Sequence, residues 1–350
     1  MSAEHFELHL NRYSEYPQVQ LLDVTLRDGS FAVNFQWDSK SVETIVDSLA
    51  RAHIPYIELG YYGGVPELHG VARPGLTADF PLSFAFELSR RHPSVKFVLM
   101  VHPGSAGSDL DFQAIAQSGI SLVRFVYHPS WHREFCELIA SCKKAGLRAS
   151  ANLALASRYS LKELLDIVTK VSDLEPQMIY LADTCSALYP DQVKNLFEAI
   201  SNQTLIELGF HSHDFLSLAF ANSISASNAG ASFIDSSLLG IGRGSGNLRT
   251  ELWCATATAQ DVSRFDLPSL TSGLDHIKAT KDLVMHDDLL SIVAGACNLT
   301  PPEEDVLRNT CRQSEISEDL AATLFVLRHR EMQSVTSEAI RNILTVGCTR

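Results

Sequence analysis

A regular succession of short β-rich runs constrains this 350-residue chain most. They read VQLLDVT (19–25), YIELGYY (56–62), KFVLMVH (96–102), LVRFVYH (122–128), RASANLAL (148–155), QMIYLAD (177–183), LIELGFH (205–211) and FIDSSLLG (233–240). From the third run onward their starts lie 26 to 29 residues apart, about one βαβ repeat. The runs are largely apolar instead of strictly alternating, as parallel strands covered on both faces should be. Helical patterns fill the gaps: Val42, Ile45, Val46 and Leu49 keep one buried face, and 111–117, 132–144, 161–171 and 191–200 follow. Eight alternations predict a closed (β/α)8 TIM barrel. An open doubly wound sheet fits less well, since no G-x-G-x-x-G follows the first run.

From about residue 260 the strand runs stop. Helices are expected over 270–286, 288–296 and 316–332, and Thr300-Pro-Pro-Glu303 reads as a capping box opening another. The expected organisation is an N-terminal extension (1–18), a barrel (19–259) and a helical C-terminal domain (260–350). That last domain could act as a lid, a dimer interface or a docking surface.

Charge narrows the partners. Lys and Arg total 28 against 41 acids, a formal charge of −13, which argues against nucleic acid or an anionic membrane as a bulk partner. No apolar stretch is long enough to span a bilayer, and the opening segment MSAEHFELHLNRYSEYPQ lacks the apolar run of a secretory leader. Seven cysteines form no C-x-x-C pair, so a reduced, cytoplasmic setting is expected. Cys185 and Cys254 read as buried small side chains.

In this fold chemistry sits where strands end and βα loops begin. Those ends carry Arg27 and Asp28, Glu58, His102, His128, Asn152, Asp183, and His211 with His213. Residues i and i+2 of a strand share a side, so His211 and His213 can face one ion. With Asp28, one strand away round a closed barrel, they would make a site for Mn2+, Zn2+, Fe2+ or Co2+ with positions open to substrate. The alternative is a pair of hydrogen-bonded strand-end histidines. Arg27 needs an acidic partner, and Glu58 is well placed to hold it, either as a structural ion pair or to present Arg27 to an enolate oxygen. The loop Gly240-Ile-Gly-Arg-Gly-Ser-Gly-Asn247 permits close backbone approach; it reads as an anion nest or a tight turn, with Asn247 a further oxygen ligand. His102 and His128 are candidate bases or structural histidines. Asp183-Thr-Cys-Ser reads as a water-linked support of the site or as an N-cap before Pro190.

LLDVTLRDGSFAVNFQW, YIELGYY and the stretch from GFHSHDF to GSGNLRTE together resemble the DRE-TIM metallolyase superfamily, over about residues 19–255. Its Asp-Arg-Glu constellation is matched by Asp28, Arg27 and Glu58. The group includes 3-hydroxy-3-methylglutaryl-CoA lyase, isopropylmalate and homocitrate synthases, carboxyltransferase domains and 4-hydroxy-2-oxovalerate aldolase. The segment from KFVLMVH to HPSWH, the length and the helical C-terminus look most like the aldolases. The resemblance implies a divalent ion, Mn2+ first with Mg2+, Co2+ or Zn2+ as alternatives, on Asp28, His211 and His213. It implies a small 2-oxo acid substrate, Arg27 stabilising the pyruvate enolate and Glu58 anchoring Arg27. Phe31, His102, Asn152 and Asp183 are then expected to line the substrate.

Three departures accompany it. The aldolases place a catalytic-base histidine three residues after the metal aspartate, where this chain has Phe31; His128 or a metal-bound hydroxide is the expected substitute, with Tyr61, Tyr62 and His286 behind them. The glycine loop lacks the catalytic cysteine of the HMG-CoA lyases. LRDGSF also differs from the LRDG-Glu-Gln of the condensing synthases. The leading expectation is therefore a metal-dependent aldolase or lyase acting through a pyruvate-type enolate. Its rivals are a Claisen-type acyl-CoA condensing enzyme and a catalytically silent barrel that binds a metabolite or partner. A homodimer or larger homo-oligomer is expected, and the aldolase resemblance adds an aldehyde dehydrogenase as a possible partner.

Overall fold

In the computed structural model the described residues are 18–65, 75–103, 110–260, 264–281, 283–285, 288–329, 332 and 334–347. Eight parallel strands close into one barrel in sequence order. They are β1 (Gln20–Asp23), β2 (Tyr56–Tyr61), β3 (Lys96–Val101), β4 (Ile120–Tyr127), β5 (Arg148–Leu153), β6 (Met178–Asp183), β7 (Glu207–Ser212) and β8 (Ala231–Ser236). The ring is completed where β1 pairs with β8, Leu22 opposite Asp235. Around it lie α1 (Ser39–Arg51), α2 (Leu82–Arg91), α3 (Phe112–Gln117), α4 (His132–Lys144), α5 (Leu161–Ser172), α6 (Pro190–Ser201), α7 (Ala219–Asn228) and α8 (Thr250–Ala259). The chain continues as α9 (Thr271–Lys278), α10 (Leu289–Ala296), α11 (Pro301–Gln313), α12 (Glu318–Arg328) and α13 (Ser337–Gly347).

Alternation along the strands divides the interior from the helix layer. One set of side chains packs outward with Ile45, Leu49, Leu88, Ile139, Val168 and Phe197 in the main core. The inward set forms an apolar floor from Leu22, Val24, Tyr56, Val98, Leu122, Met178, Tyr180 and Phe233. Above that floor the barrel turns polar at Glu58, Arg124, Asn152 and Asp235, all buried. A further turn upward lies the barrel mouth.

The C-terminal helices pack mainly around their own apolar cluster, including Leu290, Leu307, Cys311 and Phe325. They are seated on the mouth's loops. Asn298 accepts from Ser157 and Arg158 after β5; Gly295 packs against Phe215 and Leu216 after β7; Val284 N donates to Ala32 O after β1 at 2.8 Å. The helix expected over 270–286 stops at Lys278, capped at Ala279, and residues 283–285 run non-helically, Val284 making that contact with Ala32. The helix opened by Thr300 is present, with Thr300 N donating to Glu303 Oε2 at 2.7 Å. His286 and all but Gln18 of the expected extension lie outside the described residues. No helix among the described residues is long and apolar enough to cross a membrane.

Candidate metal centre and active site

The chain leaves β1 through a turn in which one carbonyl, Val24 O, accepts from the N–H groups of Arg27, Asp28 and Gly29 at 2.8–3.2 Å. That turn lifts Arg27 and Asp28 to the mouth. Asp28 Oδ1 accepts from Arg27 Nη1 at 2.6 Å, and Arg27 Nε donates to Glu58 Oε2 at 2.7 Å. All three are buried. Burial pushes the Asp28 carboxyl upward, but Arg27, His213, His211 and the Asn247 amide outweigh it and hold Asp28 well below the usual range.

His211 and His213 come from β7 and the residue just after it, two apart and therefore on one side. One ligand atom from each, with one from Asp28, lies within 4.8 Å of the others. Their rings stand nearly perpendicular, centroids 4.9 Å apart. His211 Nδ1 lies 3.0 Å from Asp235 Oδ2, and His213 Nδ1 lies 3.2 Å from Gly246 O. A carboxylate and a carbonyl can only accept, so both Nδ1 atoms carry hydrogen and both Nε2 lone pairs are left for a ligand. Burial, ahead of every charge around it, lowers the His213 pKa to about 4, which keeps the ring neutral near pH 7.

The glycine loop closes the site. Asn247 Nδ2 donates to Asp28 Oδ2 at 2.9 Å, and Arg243 N reaches the same oxygen at 3.2 Å. A Cβ at Gly242 would lie 2.7 Å from Asp28 Oδ2, so only glycine allows this approach. Asn247 Oδ1 is buried without a hydrogen-bond partner among the described residues. One carboxylate, two imidazoles presenting Nε2 and an unsatisfied amide oxygen form an N/O donor set that fits a borderline divalent cation.

Beneath the triad lies a network that the sequence reading missed. Arg124, fully buried, donates to Glu58 Oε2 at 3.2 Å and to Asp235 Oδ2 at 2.7 Å, under the Tyr180 ring at 4.2 Å. Gly209 leaves room for that ring, since a Cβ there would collide with it. With its amide turned to satisfy both ends, Asn152 accepts from Arg124 Nε at 3.0 Å and Nη2 at 2.7 Å and donates to Ser150 Oγ. Asn152 is thus tied to this network. A charge in the middle of an apolar run, Arg124 in LVRFVYH or Asp235 in FIDSSLLG, was the available signal, because a buried charge requires partners.

The remaining candidates are dispersed. Asp183 is buried, and its two oxygens accept from Ala187 N and Leu188 N; the N-cap of α6 is Tyr189. His102 and His128 both touch Trp131, at 4.6 and 5.5 Å between centroids. Burial lowers the His102 pKa to about 4. His128 Nδ1 is engaged by Ser130 Oγ at 2.7 Å. His128 follows β4, opposite β8 in the ring, whereas the triad flanks β8. Phe31 packs against an apolar cluster of Phe35, Tyr61, Ala78 and Met100. Tyr61 hydrogen-bonds Arg27, and burial raises its pKa. Cys185 and Cys254 are buried.

Comparison with known proteins agrees with this geometry. The HMGL-like family matches residues 127–283. The chain is 30% identical to the 4-hydroxy-2-oxovalerate aldolase of Geobacillus thermodenitrificans over 243 residues, 68% of each chain. It is 29% identical to the oxaloacetate decarboxylase of Mycobacterium tuberculosis over 245 residues, 69% of each. In fold it is similar to the N-terminal domain of a Bacteroides vulgatus protein assigned as an aldolase, with TM-score 0.71 and 24% identity over 82% of this chain and 95% of that one. The chain belongs to the HMGL-like family and is an enzyme of its lyase type, working on carbon–carbon bonds.

Proposed function

We propose that the chain is a divalent-metal-dependent lyase that breaks or makes a carbon–carbon bond through the pyruvate-type enolate of a 2-oxo acid, in the manner of a 4-hydroxy-2-oxo acid aldolase. The observation that carries this reading is the convergence of Asp28, His211 and His213 within 4.8 Å beside an arginine already held by two carboxylates. The relatives' names support the substrate class. The ion, for which Mn2+ is our assignment, would act as a Lewis acid on the keto oxygen. Arg27, fixed by Glu58 and Asp28, supplies a preorganised charge for the developing enolate oxygen. Tyr61, its pKa raised by burial, stays protonated at neutral pH and serves as a proton donor, not a base. His128 is our candidate for taking the substrate hydroxyl proton from the far wall of the mouth, in the tautomer whose Nδ1 donates to Ser130 Oγ and leaves the Nε2 lone pair; while Nδ1 accepts from Ser130 N at 3.3 Å the hydrogen sits on Nε2.

Phe31 favours a second reading. A phenyl ring in an apolar cluster cannot take a proton, and loss of CO2 from a 2-oxo diacid requires no hydroxyl deprotonation. That reaction yields the same enolate.

Incubation with pyruvate in D2O, with and without Mn2+, tests the shared step by NMR of the methyl protons after chelation. Metal-dependent exchange is expected. Asp28→Ala should lose it and bind Mn2+ at least about 100-fold more weakly while remaining folded, since it removes a ligand outright, beyond the 10–100-fold typical of an outer partner. Exchange that persists in that variant without metal would overturn the proposal.

A further inference from the structure

The glycine loop carries a cation, Arg243, to which the chemistry above gives no task. Its backbone is fixed at the triad by the bond from its N–H to Asp28 Oδ2. Its guanidinium lies over the Phe31 ring, 5.7 Å from the centroid, on the side of the mouth where the aldolase resemblance expects a base. At the other end Arg243 Nη2 is 3.6 Å from Asp305 Oδ2 on α11, with side chains 35% and 46% exposed. An ion pair that long and that wet contributes little and exchanges readily for a better anion. Arg27 and Arg124 differ: buried carboxylates hold them at 2.6–3.2 Å, and breaking those bonds would strand buried charge.

We propose that Arg243 determines substrate specificity by leaving Asp305 to bind a second anionic group, a carboxylate on the fragment distal to the 2-oxo acid. The guanidinium fork suits a carboxylate bidentately, and Phe31 backs it with an apolar wall. The substrate class is then a 4-hydroxy-2-oxo diacid. In cleavage the C3–C4 bond breaks, its electron pair enters the pyruvate enolate and the C4 hydroxyl loses its proton. C4 leaves as the carbonyl of an aldehyde acid, and the enolate takes up a proton. This inference rests on the pyruvate-enolate reading.

The test condenses pyruvate with succinic semialdehyde or with pentanal, its uncharged counterpart, using the full-length Mn2+-loaded enzyme. Wild type is expected to favour the charged aldehyde in kcat/KM by about 30-fold, the value of one charge-assisted hydrogen-bonded pair. Arg243→Met should bring that ratio near one, Arg243→Lys should restore part of it, and Asp305→Asn should lower KM for the charged aldehyde. Calorimetry with succinate against butyrate gives the same contrast without turnover, succinate binding falling about 10-fold in Arg243→Met. Methyl exchange of pyruvate in D2O separates the two failures. Without exchange in wild type, the enolate reading falls. With exchange but no charge preference, or with equal losses on both aldehydes in Arg243→Met, only the role of Arg243 falls.

Discussion

Asp235 stands between two donors, His211 Nδ1 at 3.0 Å and Arg124 Nη2 at 2.7 Å, both on its Oδ2. Burial would raise its pKa, but Arg124 and His211 hold it down, so it stays a carboxylate and His211 keeps its hydrogen on Nδ1. An amide in its place can offer N–H instead, which drives the imidazole hydrogen to Nε2 and blocks the lone pair a metal needs. Asp235→Asn is therefore expected to fold and yet bind Mn2+ about 10–100-fold more weakly by titration calorimetry. Unchanged affinity would show that Asp235 serves the barrel alone. Four residues, Arg27, Asp28, His211 and His213, were legible because each ends or closely follows an apolar run; Glu58, expected at a strand end, is instead the third residue of β2, level with the buried polar layer. Asp235 and Arg124 were not, because they lie mid-strand and only the closed register turns both toward the axis.

Strands read more clearly than helices in this chain. All eight runs form strands, since parallel strands buried on both faces need continuous apolar sequence. The helices α2, α7, α8 and α13 escaped the reading; α7, AFANSISASN, is built of small residues with little contrast between its faces. At β1 the strand stops at Asp23, earlier than its apolar run. Asp23 turns its carboxylate to Thr25 N at 2.9 Å and the Thr250 hydroxyl at 2.7 Å, tying β1 to the start of α8. Burial raises its pKa from 3.8 to about 7. Between those values the folded chain holds a proton that the unfolded chain has released, so this group lowers stability as pH rises from about 4 to about 7. Asp23→Asn titrates in neither state. The melting temperature of the variant relative to wild type should rise by several degrees from pH 4.5 to pH 8, a difference of a few kcal/mol at most. A flat difference across that range would mean that Asp23 titrates alike in both states. Asp183, raised to about 6 mainly by burial, leaves a smaller slope of the same sign in the variant.

At the scale of the whole molecule, the end of the strand rhythm near residue 260 was visible in sequence, but the seating of the later helices on the mouth was not. That seating depends on single contacts such as Arg158 to Asn298 and Arg243 to Asp305, which no periodicity encodes. The helices are held to one another by Arg308, largely buried. It donates to Asp288 at 3.0 and 3.1 Å, Glu304 at 2.9 Å, Glu318 at 2.5 Å and the Ser291 hydroxyl at 2.7 Å, and so joins α10, α11 and α12. Arg308→Met keeps much of the side-chain volume but removes the cation that joins Asp288, Glu304 and Glu318. Removing one partner from a fully buried ion pair costs about 3–5 kcal/mol and less here, where Asp288 and Glu318 are a third exposed, but still enough to loosen a region whose own apolar cluster is small beside that of the barrel. Hydrogen exchange should then quicken across 289–347 while the amides of β1–β8 stay protected. Activity should fall with it, because Asn298, just before α11, accepts from Ser157 and Arg158 on the loop after β5 and so helps to shape the mouth. Equal loss of protection in barrel and helices would show that the two cores open as one unit. Loss confined to the helices would make the covering of the mouth a separate equilibrium, one that gives up its Arg243–Asp305 contact whenever substrate takes Arg243.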